Sequence, residues 1–428
     1  MDKLRLEEKI KQEAALNPDK SPRDIFDKIS QNDPARLQVG FGRLEPSIYY
    51  RKKKYEPTAP KNFNDLVIKL GGEIGKKNGH PFYRSSSSSK AGDFVLFCSD
   101  EQINVLKDTK TASVDGTFKV VPSSPDKCFY QLLILSGKSF GHFHSLVFVL
   151  MSNKTRQLYN EVFKAIVEIC PQFKPNKFLC DFESGLMQEL KNAFKGCSVQ
   201  GCWFHFIQSL YRKIGTLGLV TVYRKNKLFK CLCKRIFCLP LLPEEKIISA
   251  FQHIKQEFET KSFFNDIISG FLDYVEKYWL ETIGCSILST YNNPSRTNNG
   301  QESINARIKS KIGKHPGFWA FLKRLKEFTN SSHNDLERIS RGEKTSRSKK
   351  RENVERSAEI KMASVSLSEG DIDEHQFIKM VSHTIDKYFN EDTASTDIPV
   401  IIKNYYVNKN LFSMIILAHQ TLIKPPDQ

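Results

Sequence analysis

Between Ala112 and Ile214 the apolar residues change period in a fixed order, and that order leaves few folds open. Ala112 to Val121, Cys128 to Leu135 and Ser145 to Met151 are β-branched, aromatic or continuously apolar, as strands are. Leu158, Val162, Ile166 and Ile169 then recur at helical spacing, which predicts an amphipathic helix over Lys154 to Cys170. Lys177 to Asp181 predicts a short strand, and Leu186, Leu190 and Phe194 a second helix. Ser198 to Trp203 predicts a fifth strand, and His205 to Ile214 begins a third helix. The order is β-β-β-α-β-α-β-α. Strands joined by short links pair antiparallel, whereas strands joined through helices cross over and run parallel. The expected class is therefore α/β, on one mixed sheet.

Within the first strand, Val114, Phe118 and Val120 alternate with Asp115, Thr117 and Lys119. A carboxylate thus falls inside a strand, where Asp is depleted; an Asp-Gly turn is the other reading. Two more acids occupy matching places. Asp181 ends the fourth strand, and Glu302 lies in a helix expected over Asn299 to about Ile312. The first and fourth strands of such a sheet can be neighbours, so the acids can converge. Clustered carboxylates repel one another, and a divalent cation relieves the repulsion. Hard oxygen donors suit Mg²⁺ or Mn²⁺, and two such ions about 3.5–4 Å apart suit phosphodiester chemistry.

Around this stretch the chain divides by composition. Residues 1–93 are a basic region in which Ser85 to Ser89 reads as a flexible spacer. Ser21-Pro22-Arg23-Asp24 reads as a capped helix start. Residues 94–215 form the first part of the core. Residues 216–290 are expected to be a helical insertion, since Ile247, Phe251, Ile254 and Phe258 follow the helical period. Residues 291–330 hold the final core helices. Residues 331–369 read as a basic linker, in which Arg338 to Arg356 is an exposed linker or a charged helix, and 370–428 as a helical tail with patterns around Phe377, Val381 and Ile385 and from Leu411 to Leu422.

The 428 residues carry a formal net charge of +17, which favours a polyanionic partner, most often nucleic acid. Apolar residues make up 39%, enough for a sizeable core and too many for a disordered chain. No apolar run approaches the length of a membrane span. The ten Cys are scattered in apolar surroundings with no secretory signal ahead of them, as expected of reduced thiols in an intracellular protein. Ser348-Lys349-Lys350-Arg351 reads as a nuclear import signal, so the nucleus is the expected location.

Four segments in order carry a resemblance: Asp115-Gly116-Thr117-Phe118, Cys180-Asp181-Phe182-Glu183, Gly201-Cys202-Trp203-Phe204-His205-Phe206, and Arg296-Thr297-Asn298-Asn299-Gly300-Gln301-Glu302-Ser303. Together, over about Phe94 to Phe328, they resemble the Mutator-like element (MULE) transposase domain. The resemblance implies an RNase H-like fold of the DDE superfamily, with an all-helical insertion before the last acidic residue. It implies that Asp115, Asp181 and Glu302 are the catalytic and metal-holding carboxylates, and that Cys202 and His205 are the family's Cys-x-x-His motif. The implied function is DDE-type transposition: Mg²⁺- or Mn²⁺-dependent hydrolysis at transposon ends, then strand transfer into target DNA, by a homo-oligomer on double-stranded DNA. Members of the family often carry a zinc module ahead of the core; the first Cys here is Cys98. That favours the alternative, a transposase-derived nuclear DNA-binding protein that has lost cleavage.

Other readings stay open at single residues. Asp181 could cap the helix near Ser184, Glu183 could replace it as a ligand, and Glu302 stands at capping-box spacing from Asn299. Cys202, His205 and Cys197 fall short of a closed four-ligand zinc site, and His205 is read as a phosphate or base contact. The expected DNA-binding residues are His205, Arg212, Lys213, Arg224, Lys225, Lys227, Lys230 and Lys309. Tyr211, Tyr223 and Phe229 interleave the basic cluster as candidate stacking platforms.

Overall fold

A computed structural model describes residues 2–388 apart from 18–19, 56, 126–127, 294, 297–298 and 344–350. It divides into two compact units, residues 1–204 with 297–347 and residues 205–296 with 348–428. The second helical pattern of the tail, from Leu411 to Leu422, lies outside the described residues, as do Ser348, Lys349 and Lys350.

The first unit opens with helices α1 (Asp2–Leu16), α2 (Pro22–Ser30) and α3 (Phe41–Tyr55). Ser21 caps α2 through a 3.0 Å bond from Asp24 N–H, as its sequence suggests. Leu6, Ile10, Ala14, Ile25, Phe26, Leu44 and Ile48 give these helices a core of their own. A further helix, α4 (Phe63–Leu70), leads to the sheet.

The sheet has seven strands: β1 (Tyr83–Ser89), β2 (Gly92–Phe97), β3 (Thr111–Thr117), β4 (Gln131–Ser139), β5 (His142–Met151), β6 (Lys177–Cys180) and β7 (Ser198–Gly201). Their spatial order is β1-β2-β5-β4-β3-β6-β7. β3 pairs antiparallel with β4 and parallel with β6, so the sheet is mixed. Helix α5 (Asp100–Asp108) precedes β3, and α6 (Arg156–Ile169) and α7 (Ser184–Ala193) are the crossovers on either side of β6.

Two expectations fail here. Ser85 to Ser89 is no spacer: it is the edge strand β1, in register with β2 from Ser85↔Leu96 to Ser89↔Gly92. A serine run has little β-propensity, so the pairing comes from its neighbour and from Glu161, which accepts from Ser87 and Ser89 hydroxyls at 3.3 and 2.8 Å. The first strand also stops at Thr117. Phe118 is exposed, edge-on to Tyr130 at 5.2 Å, rather than core-facing.

Helix α8 (Trp203–Thr216) leads into the second unit, where α9 (Val220–Lys225), α10 (Lys227–Phe237), α11 (Glu244–Glu259) and α12 (Asp266–Tyr274) follow. A π-helical stretch (Val275–Gly284) and α13 (Cys285–Leu288) complete the series, in which the described residues hold helices and no strand. The chain then returns to the first unit with α14 (Asn299–Ile312) and α15 (Phe318–Ser340). Ile304, Ile308 and Ile312 of α14 pack with Phe321, Leu325 and Phe328 of α15 onto Val95, Ile134 and Phe148 of the sheet. Each buried Ile contributes about 1.5–3 kcal/mol by leaving water.

Among the described residues of the span 331–369, helix takes the place of the expected linker. α15 runs on to Ser340, and Arg351–Ser368 is a helix, α16, that buries Ile360, Ala363 and Leu367. One of those three positions is Ala, so the apolar stripe is faint in the sequence. α17 (Glu374–Val381) follows, burying Phe377, Ile378 and Val381.

Candidate active site

β3 and β6 run in parallel with Val114 opposite Cys180. The next residues along the two chains are Asp115 and Asp181, so the two acids stand at neighbouring positions. Their face follows from β4. Asp115 is paired with Ile134, and cross-strand partners share a face. Ile134 belongs to the core that α14 and α15 cover. A contact agrees with this: Asn305 on α14 donates through Nδ2 to Asp115 Oδ2 at 2.6 Å. The other oxygen, Oδ1, accepts from Gly116 N–H at 2.7 Å.

Glu302 lies three residues before Asn305, on the same side of α14. It is half-buried, off the stripe made by Ile304, Ile308 and Ile312. Lys309, exposed, continues that outer side. On this side of α14 it is Asn305 that reaches Asp115; Glu302 stands about one turn before it and Lys309 one turn after. The sequence placed Asn305 off the buried stripe, but its role as partner of Asp115 needs the fold.

Two groups register the charge collected here. Burial pushes the Cys180 thiol up, and Asp181, Cys202, Glu183 and Asp115 push it further. The Tyr159 hydroxyl is raised first by burial; its bond from Gln131 Nε2, at 3.0 Å, opposes this, and Glu183 and Asp115 add to it. Asp115, Asp181 and Glu183 therefore act on the same end of the sheet. The N-cap of α7 is Glu183, not Asp181, so the helix-cap reading of Asp181 does not hold. Glu183 is itself 3.6 Å from Lys154 Nζ. Among the described residues Asp115, Asp181 and Glu302 do not bring three donor atoms within 4.8 Å of one another.

Two glycines permit this packing. A Cβ on Gly116 would stand 2.6 Å from Gln131 Oε1, and one on Gly201 would overlap the Phe182 ring. Phe182 follows Asp181 directly, so the bare backbone of Gly201 fixes the chain beside that carboxylate. Cys202 is buried and its N–H bonds Cys180 O at 3.2 Å, continuing the strand pairing. Among the described residues, Cys197, Cys202 and His205 belong to no cluster of three metal donors.

In the second unit, Arg212, Arg224, Lys225 and Lys227 are exposed and His205 is half-buried. Lys213 lies over the Tyr274 ring at 4.9 Å and Lys230 over Tyr223 at 5.6 Å. The stacking platforms are a misreading in two cases of three. Tyr223 and Phe229 are buried, Phe229 against Phe258 and Phe263, because they lie on the inner sides of α9 and α10. All ten Cys are thiols. Among the described residues no helix is long and apolar enough to cross a membrane.

Residues 111–209 match the family model of the MULE transposase domain. The matched segment runs from the first residue of β3 into α8, and so includes Asp115, Asp181, Cys202 and His205. A solved structure, the Drosophila P element transposase strand transfer complex, aligns with 90% of this chain and 92% of that one at 14% identity. Its TM-score of 0.22 is too low to carry an argument about fold. No curated protein matches the chain.

Proposed function

We propose that the chain is a metal-dependent DNA transposase of the MULE type with an RNase H-like core, acting in the nucleus on double-stranded DNA. The observation that carries this is the register of β3 on β6. Val114 pairs with Cys180, so Asp115 and Asp181 are the next residues along both chains, and Asn305, one turn after Glu302 on α14, bonds Asp115. The family match over residues 111–209 supports it independently. The RNase H-like reading rests on strand order: counted from β3, the strands β5-β4-β3-β6-β7 lie 3-2-1-4-5.

Hard carboxylate oxygens gathered beside Cys180 and Tyr159 fit Mg²⁺ or Mn²⁺. Asp115, Asp181 and Glu302 would hold the ions, which when bound supply Lewis acidity toward the scissile phosphate and the attacking water. The chain's own residues do the positioning. Asn305 orients the Asp115 carboxylate, and Gly201 lets Phe182 hold the segment that carries Asp181. Lys309 and the exposed cations of α8 to α10 attract phosphates without reading bases.

One observation favours the second reading, a DNA-binding protein without cleavage. Asp115 Oδ2 is already bonded to Asn305, so one donor oxygen is engaged. The deciding assay offers the full chain DNA with the terminal sequences that flank its coding region, with Mg²⁺ or Mn²⁺. Cleavage that Glu302→Gln abolishes while binding persists supports the transposase. Tight binding with no cleavage under either metal replaces it by the binder.

A further inference from the structure

A second cluster, wholly within the second unit, has different chemistry. His253 and Glu257 stand four residues apart on α11, and so on one side of that helix. His375, in the first turn of α17, faces them. One donor atom from each of the three lies within 4.8 Å of the others. His375 Nε2 is 3.3 Å from Glu257 Oε1, and His253 Nε2 is 3.8 Å from the same oxygen. Both exceed the usual N–H···O range of about 2.7–3.2 Å. Bonds of about 2.0–2.2 Å in a tetrahedron set donors about 3.3–3.6 Å apart; the first distance falls in that range and the second lies just beyond it.

Hydrogen bonding does not account for the packing of His375, whose buried Nδ1 meets no partner. The two imidazole rings lie with centroids 3.8 Å apart, tilted by 50°, an approach that two protonated rings would resist. The frame around the cluster is set. Arg235 Nη1 on α10 donates to both Glu257 oxygens at 2.9 and 2.8 Å, which orients the carboxylate as outer-shell partners of metal sites do. Asp373 and Gln376 close a capping box at the start of α17. Glu374 ties that turn to α11 through Ser249 Oγ at 2.8 Å and Lys246 at 3.5 Å.

We propose that His253, Glu257 and His375 bind a borderline divalent cation, Zn²⁺ by donor type, which clips α17 to α11. Two nitrogens and one carboxylate oxygen are a zinc-type set rather than a magnesium one. The Arg235 guanidinium lowers affinity for a cation, so the site is expected to be weaker than a closed four-ligand one.

The test uses the full chain stripped with chelator, and Co²⁺ and Zn²⁺ as probes. The expected result is one Co²⁺ bound with a ligand-field spectrum lacking the thiolate charge-transfer band that cysteine sites give. Zn²⁺ displaces it and raises the unfolding temperature, and Mg²⁺ at equal concentration does neither. His253→Gln and His375→Gln each weaken binding by about tenfold or more, the scale of a disturbed metal shell. Their melting in chelator stays near wild type, which separates a lost ion from a lost fold. Cobalt binding only through thiolates, or unchanged affinity in both variants, overturns the proposal. So does a variant whose melting in chelator falls as far as its melting in zinc.

Discussion

The two clusters gather donors in opposite ways. In the first unit, Asp115 lies on β3, Asp181 just past the end of β6, and Glu302 on a helix more than a hundred residues further on. Their donors are not drawn within 4.8 Å, and one oxygen is bonded to Asn305. In the second unit, His253 and Glu257 come from one helix, and His375 closes the group to within 4.8 Å. Among the described residues the acidic donors are therefore spread more widely than those of the histidine cluster. Reaction needs space between donors, and a structural clip does not. Each of the following experiments strains that contrast at one point.

The largest effect is expected at Asp115. Asp115→Asn keeps the size of the side chain and the Asn305 contact but removes charge from the acidic end of the sheet. Metal-dependent nicking should fall by orders of magnitude, while cobalt binding at the histidine cluster stays as in wild type. Unchanged nicking would remove the acidic site from the comparison. A loss of cobalt binding as well would show that the two sites are coupled.

Gly201→Ala is the next largest. A methyl there meets the Phe182 ring, and the neighbouring residue is Asp181. Overpacking of this kind costs about 1–3 kcal/mol, and a displacement of about 1 Å at a reacting group can cost about a hundredfold in rate. Nicking should therefore fall further than stability alone explains. A variant that melts early but cuts at the wild-type rate when folded would show that Gly201 serves the sheet rather than the site.

A smaller, graded effect concerns the exposed cations of the second unit. DNA binding should weaken as salt rises, because each phosphate that a cation neutralises releases condensed counterions. Replacing Arg224, Lys225 and Lys227 together by Gln should reduce the slope of log affinity against log salt by up to about 0.9 for every phosphate left unneutralised. Lys213 and Lys230, held over Tyr274 and Tyr223, should contribute less when replaced. An unchanged slope for the triple variant would move the DNA-binding surface elsewhere.

The same contrast marks what the sequence could reveal. The strand and helix order was legible because each element there has a clean period, and each acid could be placed in or beside a recognisable element. The partner of Asp115 was not legible: that Asn305 reaches it is a fact of how α14 lies on the sheet. Tyr223 and Phe229 misled because aromatics between basic residues look alike whether they face a base or a core. The serine run misled because propensity speaks for isolated chains, and β1 is held by β2. His253, Glu257 and His375 gave no signal, since the third member is more than a hundred residues away and no motif joins them.

The smallest effect expected is an acid dependence, and it separates the first unit from the histidines of the second. His144 lies on β5, buried, with Nε2 unpartnered. Burial first, then His142 and Arg307, lower it to about 4 from 6.5, while Asp335 and a backbone bond to Ser139 oppose the shift. Between those two values the unfolded chain binds a proton that the folded chain does not. Stability is therefore full above pH 6.5, falls as the pH drops through that window, and levels off near pH 4. His144→Gln should flatten this part of the curve, seen as a smaller fall in melting temperature between pH 7 and pH 5. The melts belong in chelator, where acid cannot act by releasing an ion from His253 and His375. Parallel curves for wild type and variant would assign the acid sensitivity to another group. A gap that opens below pH 6.5 only when zinc replaces chelator would assign it to the histidine cluster instead.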